Sequence, residues 1–294
     1  MTFAALLTKE LRLRLRRERT IWVIIIYLLV MGALGFLYIS QQNGFNNSNL
    51  SQVGLVLYTI LSMVQLFLIV FITPAFTTTA INGEKERQTF DLLLCSRLSA
   101  FSLIAGKLVA GLANALLLIA ASTPIFSLVF FFGGVTPEQF LSALLVFVDT
   151  TVMVGSLGLF CSTFLRRPPV STAIAYMLCI MWIIVPWVIF LLIYTLGSGS
   201  GRFSSPNDVL SLFAWNPISA LISTYPYVPP GSGYKIFGIV FAPWIVYTVL
   251  CFAGALVFFL LSTWLVKPNP VRRLRRRMQR RAQQRKVEAK PTAA

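Results

Sequence analysis

Arg166-Arg167-Pro168-Pro169-Val170-Ser171-Thr172-Ala173-Ile174-Ala175-Tyr176-Met177-Leu178-Cys179-Ile180-Met181-Trp182-Ile183-Ile184-Val185-Pro186-Trp187-Val188-Ile189-Phe190-Leu191-Leu192-Ile193-Tyr194-Thr195 carries two arginines at its start and no further charged side chain. The hydrocarbon core of a bilayer is crossed by a helix of about 20 mostly apolar residues, and residues 169–195 exceed that length. Working outward, comparable windows lie near 21–39, 55–75, 103–132, 140–165 and 236–266. The chain reads as an all-α membrane protein with six transmembrane helices. The last four windows are long enough to tilt or to extend beyond the bilayer.

Composition agrees with lipid as the solvent. Of 294 residues, 57% are hydrophobic, and the mean hydropathy is +0.78; one soluble core could not hide that much apolar surface. The first window follows a basic stretch, as a secretory signal would, but it is too long for one and no small-residue cleavage site follows at Ser40 to Asn47. It is expected to stay as a helix.

Charge sets the threading. Of the 25 Lys and Arg residues, all but Arg202 and Lys235 fall into four blocks: Lys9 to Arg19, Lys85 to Lys107, Arg166–Arg167, and Lys267 to Lys290. With six spans these blocks share one side, and Lys and Arg near helix ends are retained in the cytoplasm. The expectation is a multi-pass protein of the plasma (inner) membrane with both termini cytoplasmic. A net charge of +16 could also serve nucleic acid. The run Arg272 to Lys286, however, begins a few residues after a span, where basic clusters meet anionic headgroups at about 1 kcal/mol per residue. Lipid headgroups, with no nucleic acid, are the expected partner of that tail.

Absences exclude several chemistries. There is no histidine, so a Ser-His-Asp triad, the usual Cys/His zinc site and His-based proteolysis are all ruled out. The four cysteines, Cys95, Cys161, Cys179 and Cys251, fall in spans or on the inner face and form no CxxC pair, so no structural disulfide is expected. No GxxxxGK[ST] loop is present; Gly106-Lys107 lacks the preceding glycine and opens an apolar span. This chain has no site for ATP hydrolysis, and no catalytic or metal-ligating residue is assigned.

Along the chain, residues 1–20 place Phe3, Leu7 and Leu11 at four-residue spacing before Leu and Arg alternate. A lone strand at a bilayer would leave its backbone unpaired, so an interfacial helix is expected there. Residues 40–52 form a short uncharged outer loop, and Gly133, Gly134, Thr136 and Pro137 turn a second one. The third outer segment, about 196–235, holds an apolar stretch, Val209 to Ile222, broken by Asn216-Pro217. It is too short to span and reads as a re-entrant or interfacial piece between the fifth and sixth spans. Trp215, Tyr225 and Tyr227 are the residue types that settle at headgroup depth. Pro74, Pro124, Pro186 and Pro243 are expected to kink their helices or sit near the ends, and Gly155, Ser156 and Gly158 to permit close helix approach.

The loop after the second span is the most specific segment: Ile81-Asn82-Gly83-Glu84-Lys85-Glu86-Arg87-Gln88-Thr89-Phe90-Asp91-Leu92-Leu93-Leu94-Cys95-Ser96-Arg97-Leu98-Ser99. At helical spacing Glu84, Gln88, Asp91 and Cys95 share one stripe, with Phe90, Leu93 and Leu94 opposite. On physics alone this is either a partner-docking helix or a solvated connector.

The run Glu84 to Leu93, followed by Ser96-Arg97-Leu98-Ser99 and Gly106-Lys107-Leu108, resembles the signature of the type-2 ATP-binding-cassette (ABC) permeases. Lys9 to Arg12 is similar to that family's elbow helix, and Leu159 to Phe164 and Asn216-Pro217-Ile218 fit its habits. Arg97 stands where the family often has proline. The resemblance implies a domain plan of a cytoplasmic elbow helix (1–20), a six-helix permease domain (21–266) with a coupling loop at about 82–100, and a basic tail (267–294) that is disordered or rests on the membrane. It implies that Glu84, Glu86, Arg87, Thr89, Phe90 and Asp91 dock a separate ABC ATPase, which binds ATP and magnesium, while this chain needs no cofactor. It further implies a second permease chain, identical or homologous, and export as the direction. A scaffold that uses the ATPase to move or assemble other proteins would carry the same loop.

Asp149 is the one acid expected near hydrocarbon depth. A buried ionisable group is costly in lipid and marks a candidate substrate or ion contact, against the plainer reading of a hydrogen-bond acceptor for Thr150, Thr151 or a neighbouring helix.

Overall fold

The computed structural model describes residues 18–41, 50–86, 88, 100–165, 167–197, 213–225, 234–236 and 239–266. Among these, eight helices and one hairpin follow in order: α1 (Glu18–Ser40), α2 (Leu50–Thr77), α3 (Asn82–Glu86), α4 (Ala100–Phe132), α5 (Pro137–Phe164), α6 (Pro168–Gly197), α7 (Pro217–Ile222), β1 (Tyr234–Ile236), β2 (Ile239–Phe241) and α8 (Pro243–Val266). Six of them, α1, α2, α4, α5, α6 and α8, are long and apolar enough to cross a bilayer. Of the elbow helix expected over 1–20, residues 1–17 lie outside the described residues and Glu18 to Thr20 open α1; the basic tail (267–294) also lies outside the described residues.

Proline punctuates the spans as its geometry requires. Its missing N–H and fixed φ suit the first helical turn, and α5, α6, α7 and α8 all begin with it. Pro74, Pro124 and Pro186 lie inside α2, α4 and α6. Pro243 instead opens α8, so the sixth span starts there and not at residue 236. The residues before it pair as a short antiparallel hairpin, with Tyr234 opposite Phe241. This hairpin is a local addition to a fold whose all-α class stands. Three-residue strands are too brief to leave an alternating pattern, and their apolar content merged with the following span.

The helix α5 is the hub. In its most apolar window 72% of the residues are buried, against 17–44% for the other spans, and it packs most extensively along α8 and then α2. Small residues make this possible. A Cβ on Gly158 would fall 2.2 Å from Thr77 Oγ1, and one on Gly155 would fall 2.4 Å from a Leu112 methyl, so α2 and α4 approach the α5 backbone directly. The packing role expected for Gly155 and Gly158 is what the structure shows.

At the end of the bundle remote from Lys85, Gly133 and Gly134 turn the chain at φ of 81° and 89°. Thr136 then caps α5 through a reciprocal capping box with Gln139. Tyr58 donates to the Gln139 carbonyl at 3.2 Å, tying α2 to the same corner.

The segment holding α7 is docked rather than loose. Asn216 caps it by accepting from Ile218 N at 2.8 Å, and its amide nitrogen donates to the Ile183 carbonyl at 2.9 Å. That carbonyl lies one turn before Pro186, where the ring disturbs the ladder of α6. Trp182 Nε1 donates to the Trp215 carbonyl at 2.7 Å. Tyr225 corrects the headgroup expectation: it is 2% exposed, its ring meets Tyr58 edge-on at 5.6 Å, and its hydroxyl lies 2.9 Å from Ser62 Oγ. An amphipathic ring serves equally at an interface or in a core where its hydroxyl finds a partner. Tyr227 is outside the described residues. Removing the Asn216 side chain (Asn216→Ala) is expected to destabilise this segment by about 1–2 kcal/mol through loss of the cap and the α6 bond. Faster hydrogen exchange of the amides in 216–222, with unchanged exchange in α5, is the check.

Candidate functional site: a helical stub and its polar clasp

Of the loop residues singled out in the sequence, Glu84, Glu86 and Gln88 are described; Arg87, Thr89, Phe90, Asp91 and Cys95 lie outside the described residues. The helix α3 is five residues long and stops at Glu86. Gln88 then adopts φ 58°, in the left-handed region, and its N–H closes a turn onto the Lys85 carbonyl at 3.2 Å. One uninterrupted helical stripe from Glu84 through Gln88 is therefore not what forms. A helix this short cannot hold itself together in water because nucleation costs more than its few bonds return. Its hold comes from the bundle.

That hold is dense. Ser162 Oγ, near the end of α5, accepts from Ile81 N at 3.0 Å and Asn82 N at 3.1 Å. Lys85 Nζ donates to the Thr163 carbonyl at 2.7 Å, one of the last-turn carbonyls that α5 cannot satisfy internally. Asn82 is fully buried, and its amide is assigned with the nitrogen donating to the Ser162 and Leu165 carbonyls and the oxygen accepting from Ser171 Oγ at 3.3 Å. Thr78 Oγ1 and Thr172 Oγ1, 3.0 Å apart, add a contact between the end of α2 and the start of α6.

Glu84 turns partly inward. Its carboxylate accepts from Lys107 Nζ at 3.4 Å, with side chains 32% and 4% exposed respectively. The lysine that sequence reading placed among the retained basic residues and in the Gly106-Lys107-Leu108 resemblance is thus nearly buried and faces the first acid of the loop. Glu86 remains exposed. Ser162 and Lys107 are the positions sequence reasoning missed as partners. The available signal was the pairing of hydroxyl clusters, Thr77-Thr78-Thr79, Ser162-Thr163 and Ser171-Thr172, at span ends that the charge pattern places on one side.

Asp149 sits close to the middle of the 28-residue α5 and is 3% exposed. Thr248 Oγ1 of α8 donates to its Oδ2 at 2.6 Å. One residue on, Thr150 Oγ1 donates to the Val146 carbonyl at 2.7 Å and lies 2.8 Å from the Tyr247 hydroxyl. Trp182 stacks on the Tyr247 ring at 6.4 Å. Two adjacent polar contacts thus join α5 to α8 at mid-depth. Such bonds average roughly 0.6 kcal/mol in a membrane interior. Asn at position 149 retains an acceptor for Thr248, so Asp149→Asn is expected to leave the thermal stability of the detergent-solubilised chain within about 1 kcal/mol. Asp149→Leu, which leaves the Thr248 hydroxyl without that partner, should cost more.

Among the described residues no three His, Cys, Asp or Glu side chains gather as a metal site. Cys161, Cys179 and Cys251 are buried free thiols. Three buried polar atoms on α2 and α4, Gln65 Nε2, Thr73 Oγ1 and Asn114 Oδ1, have no hydrogen-bond partner among the described residues, although the Tyr27 hydroxyl bonds the Gln65 carbonyl oxygen.

Six helices long and apolar enough to cross a bilayer, α5 the most buried of them, with a short polar stub clasped to its end, define a polytopic membrane protein. A comparison with protein families matches residues 4–263 to the ABC-2 family transporter proteins. The chain belongs to that family, whose members are membrane permease subunits. A search of curated proteins found no match.

Proposed function

We propose that this chain is the permease subunit of an ABC exporter and that a separate ATPase, binding ATP and magnesium, drives it through residues 82–91. The observation that carries this reading is α3 itself. A five-residue helix bearing Glu84, Lys85 and Glu86 is fixed by hydrogen bonds to the end of α5, while Glu86 is left open to an aqueous partner. A solvated connector would not require that hold. Family membership supports the same role.

In this reading two permease chains, identical or homologous, line the path, and the partner ATPase contributes two nucleotide-binding domains. Its closure on ATP favours one of two arrangements of the bundle, because the ATPase binds them with different affinity. Glu84, Glu86, Arg87, Thr89, Phe90 and Asp91 form the docking edge. Both termini and this edge face the cytoplasm of a cell whose plasma (inner) membrane holds the bundle, as the asymmetry of Lys and Arg supports. The basic tail meets anionic headgroups there.

Asp149 is the acid on the transport path in this scheme. Asp149→Asn, which preserves the α8 contact, is expected to lower transport or alter its pH dependence in proteoliposomes; unchanged transport would assign the residue to packing alone. Co-purification tests the whole reading. A nucleotide-hydrolysing subunit should accompany the tagged chain from native membranes, and ATP-driven solute flux should separate a transporter from a scaffold that only moves other proteins.

A further inference from the structure

Ser162 is fully buried in the last turn of α5, yet both backbone groups it receives, Ile81 N and Asn82 N, come from a different part of the chain. These N–H groups stand at the start of α3, where a helix has no internal acceptors. The side chain of Lys85 then reaches back to the Thr163 carbonyl, and the Asn82 amide to those of Ser162 and Leu165. Start of stub and end of span therefore complete each other: orphan donors of one meet the orphan acceptors and a hydroxyl of the other. The link from α3 to its covalent neighbour α2 runs through residues 78–81, a turn closed by Gly83 N on the Thr79 carbonyl at 3.1 Å and Lys85 N on the Ile81 carbonyl at 3.0 Å, and a second set of short bonds at both edges of the stub adds α5, which is remote in sequence.

We propose that this clasp is the joint that delivers motion of the 82–91 segment to the bundle, that α5 is the driven helix, and that Ser162 and Lys85 are the positioning residues. The proposal rests on the reading that an ATPase docks on that segment, and it adds where the motion goes. A push on α3 meets the end of α5 through hydrogen bonds that resist sliding. Because α5 is the most buried span, a displacement of its end cannot be absorbed by lipid and is passed to its neighbours. The Asp149–Thr248 and Thr150–Tyr247 contacts carry it into α8 at mid-depth. Lys107 against Glu84 steadies the other side of the stub on α4.

The test uses the full complex of chain and ATPase in a background without the four native cysteines. Spin labels replace Phe101 at the start of α4 and Phe164 at the end of α5, both exposed. Pulsed electron resonance then compares the nucleotide-free and ATP-bound states. In the otherwise native chain ATP should shift the distance between labels. In Ser162→Ala and in Lys85→Met the ATP-shifted fraction should fall about 5-fold or more with the ATPase still bound, and Lys85→Arg, which keeps the donor, should restore it. An unchanged shift in both variants, or no shift in the native chain with its ATPase bound, overturns the proposal. If Ser162→Ala fails to reach the membrane, the Lys85→Met and Lys85→Arg pair decides alone, since that side chain is partly exposed. Absence of any bound ATPase on the native chain would instead sink the docking reading itself, an outcome the co-purification step reports separately.

Discussion

Reversing the charge of Glu84 and Asp91 together (Glu84→Lys with Asp91→Lys) is expected to lower ATP-coupled transport by about 10-fold or more, the equivalent of one interfacial charge contact worth ~1.4 kcal/mol, while membrane insertion stays intact. Two effects add at position 84. A new lysine there abolishes an acidic member of the proposed docking edge, and it sets a second cation against Lys107, which is 4% exposed and cannot turn to water. Because Glu84 is about a third exposed, the internal penalty is screened and amounts to roughly 1–2 kcal/mol. Adding Lys107→Glu should recover the internal pair and the thermal stability but not the coupling. Full recovery of coupling would show that Glu84 acts only inside the bundle. Insertion is followed by membrane fractionation, coupling by transport per ATP hydrolysed.

Replacing Gly158 with valine should strongly disrupt the packing of α2 against α5. A Cβ at that position falls 2.2 Å from Thr77 Oγ1 and 3.2 Å from Thr77 Cβ. Thr77 cannot swing clear: it is 1% exposed, and its hydroxyl donates to the Thr73 carbonyl at 3.1 Å. The helices α2 and α5 must separate instead, at a cost of about 3 kcal/mol or more. The measured consequence is loss of folded chain after detergent extraction. Gly158→Ala should cost less, and pairing it with Thr77→Ala, which removes the closest atom, should return most of the lost thermal stability. Equal stability of Gly158→Val and the native chain would mean that α2 and α5 do not meet at this point.

The two expectations differ in how much of their basis was readable beforehand. Gly158 stood in a small-residue cluster within an apolar window, and close approach of helices in lipid selects such residues; the sequence shows the cluster but not that Thr77 is what enters it. The spans themselves were legible because a bilayer imposes one length on every crossing segment. Their starts were read close to the observed ones at α5 and α6, where windows from 140 and 169 meet helices that open at Pro137 and Pro168, and were misplaced at Pro243, where an apolar hairpin ran into an apolar span. Tyr225 was misassigned because a hydroxyl on an aromatic ring suits headgroups and cores alike. The partner of Lys107 was invisible for a different reason: a lysine at the start of a span reads as a cation reaching for water, and only the fold brings Glu84 beside it. Ser162 carried no individual mark either. Serine in a membrane helix commonly bonds its own backbone, and nothing local signals that the oxygen will accept two amides from elsewhere.

These missed contacts share a cause. Polar groups at span ends are satisfied by whatever the tertiary fold presents, whereas apolar length and glycine spacing are set within one segment. The attachment of α3 is accordingly the part of the account that most needs a direct observation. A photo-reactive residue in place of Glu86, which is exposed at the tip of the stub, should on illumination of native membranes form an adduct with a nucleotide-binding subunit. Labelling of position 86 by a membrane-impermeant reagent added outside intact cells, with no such adduct, would contradict the account.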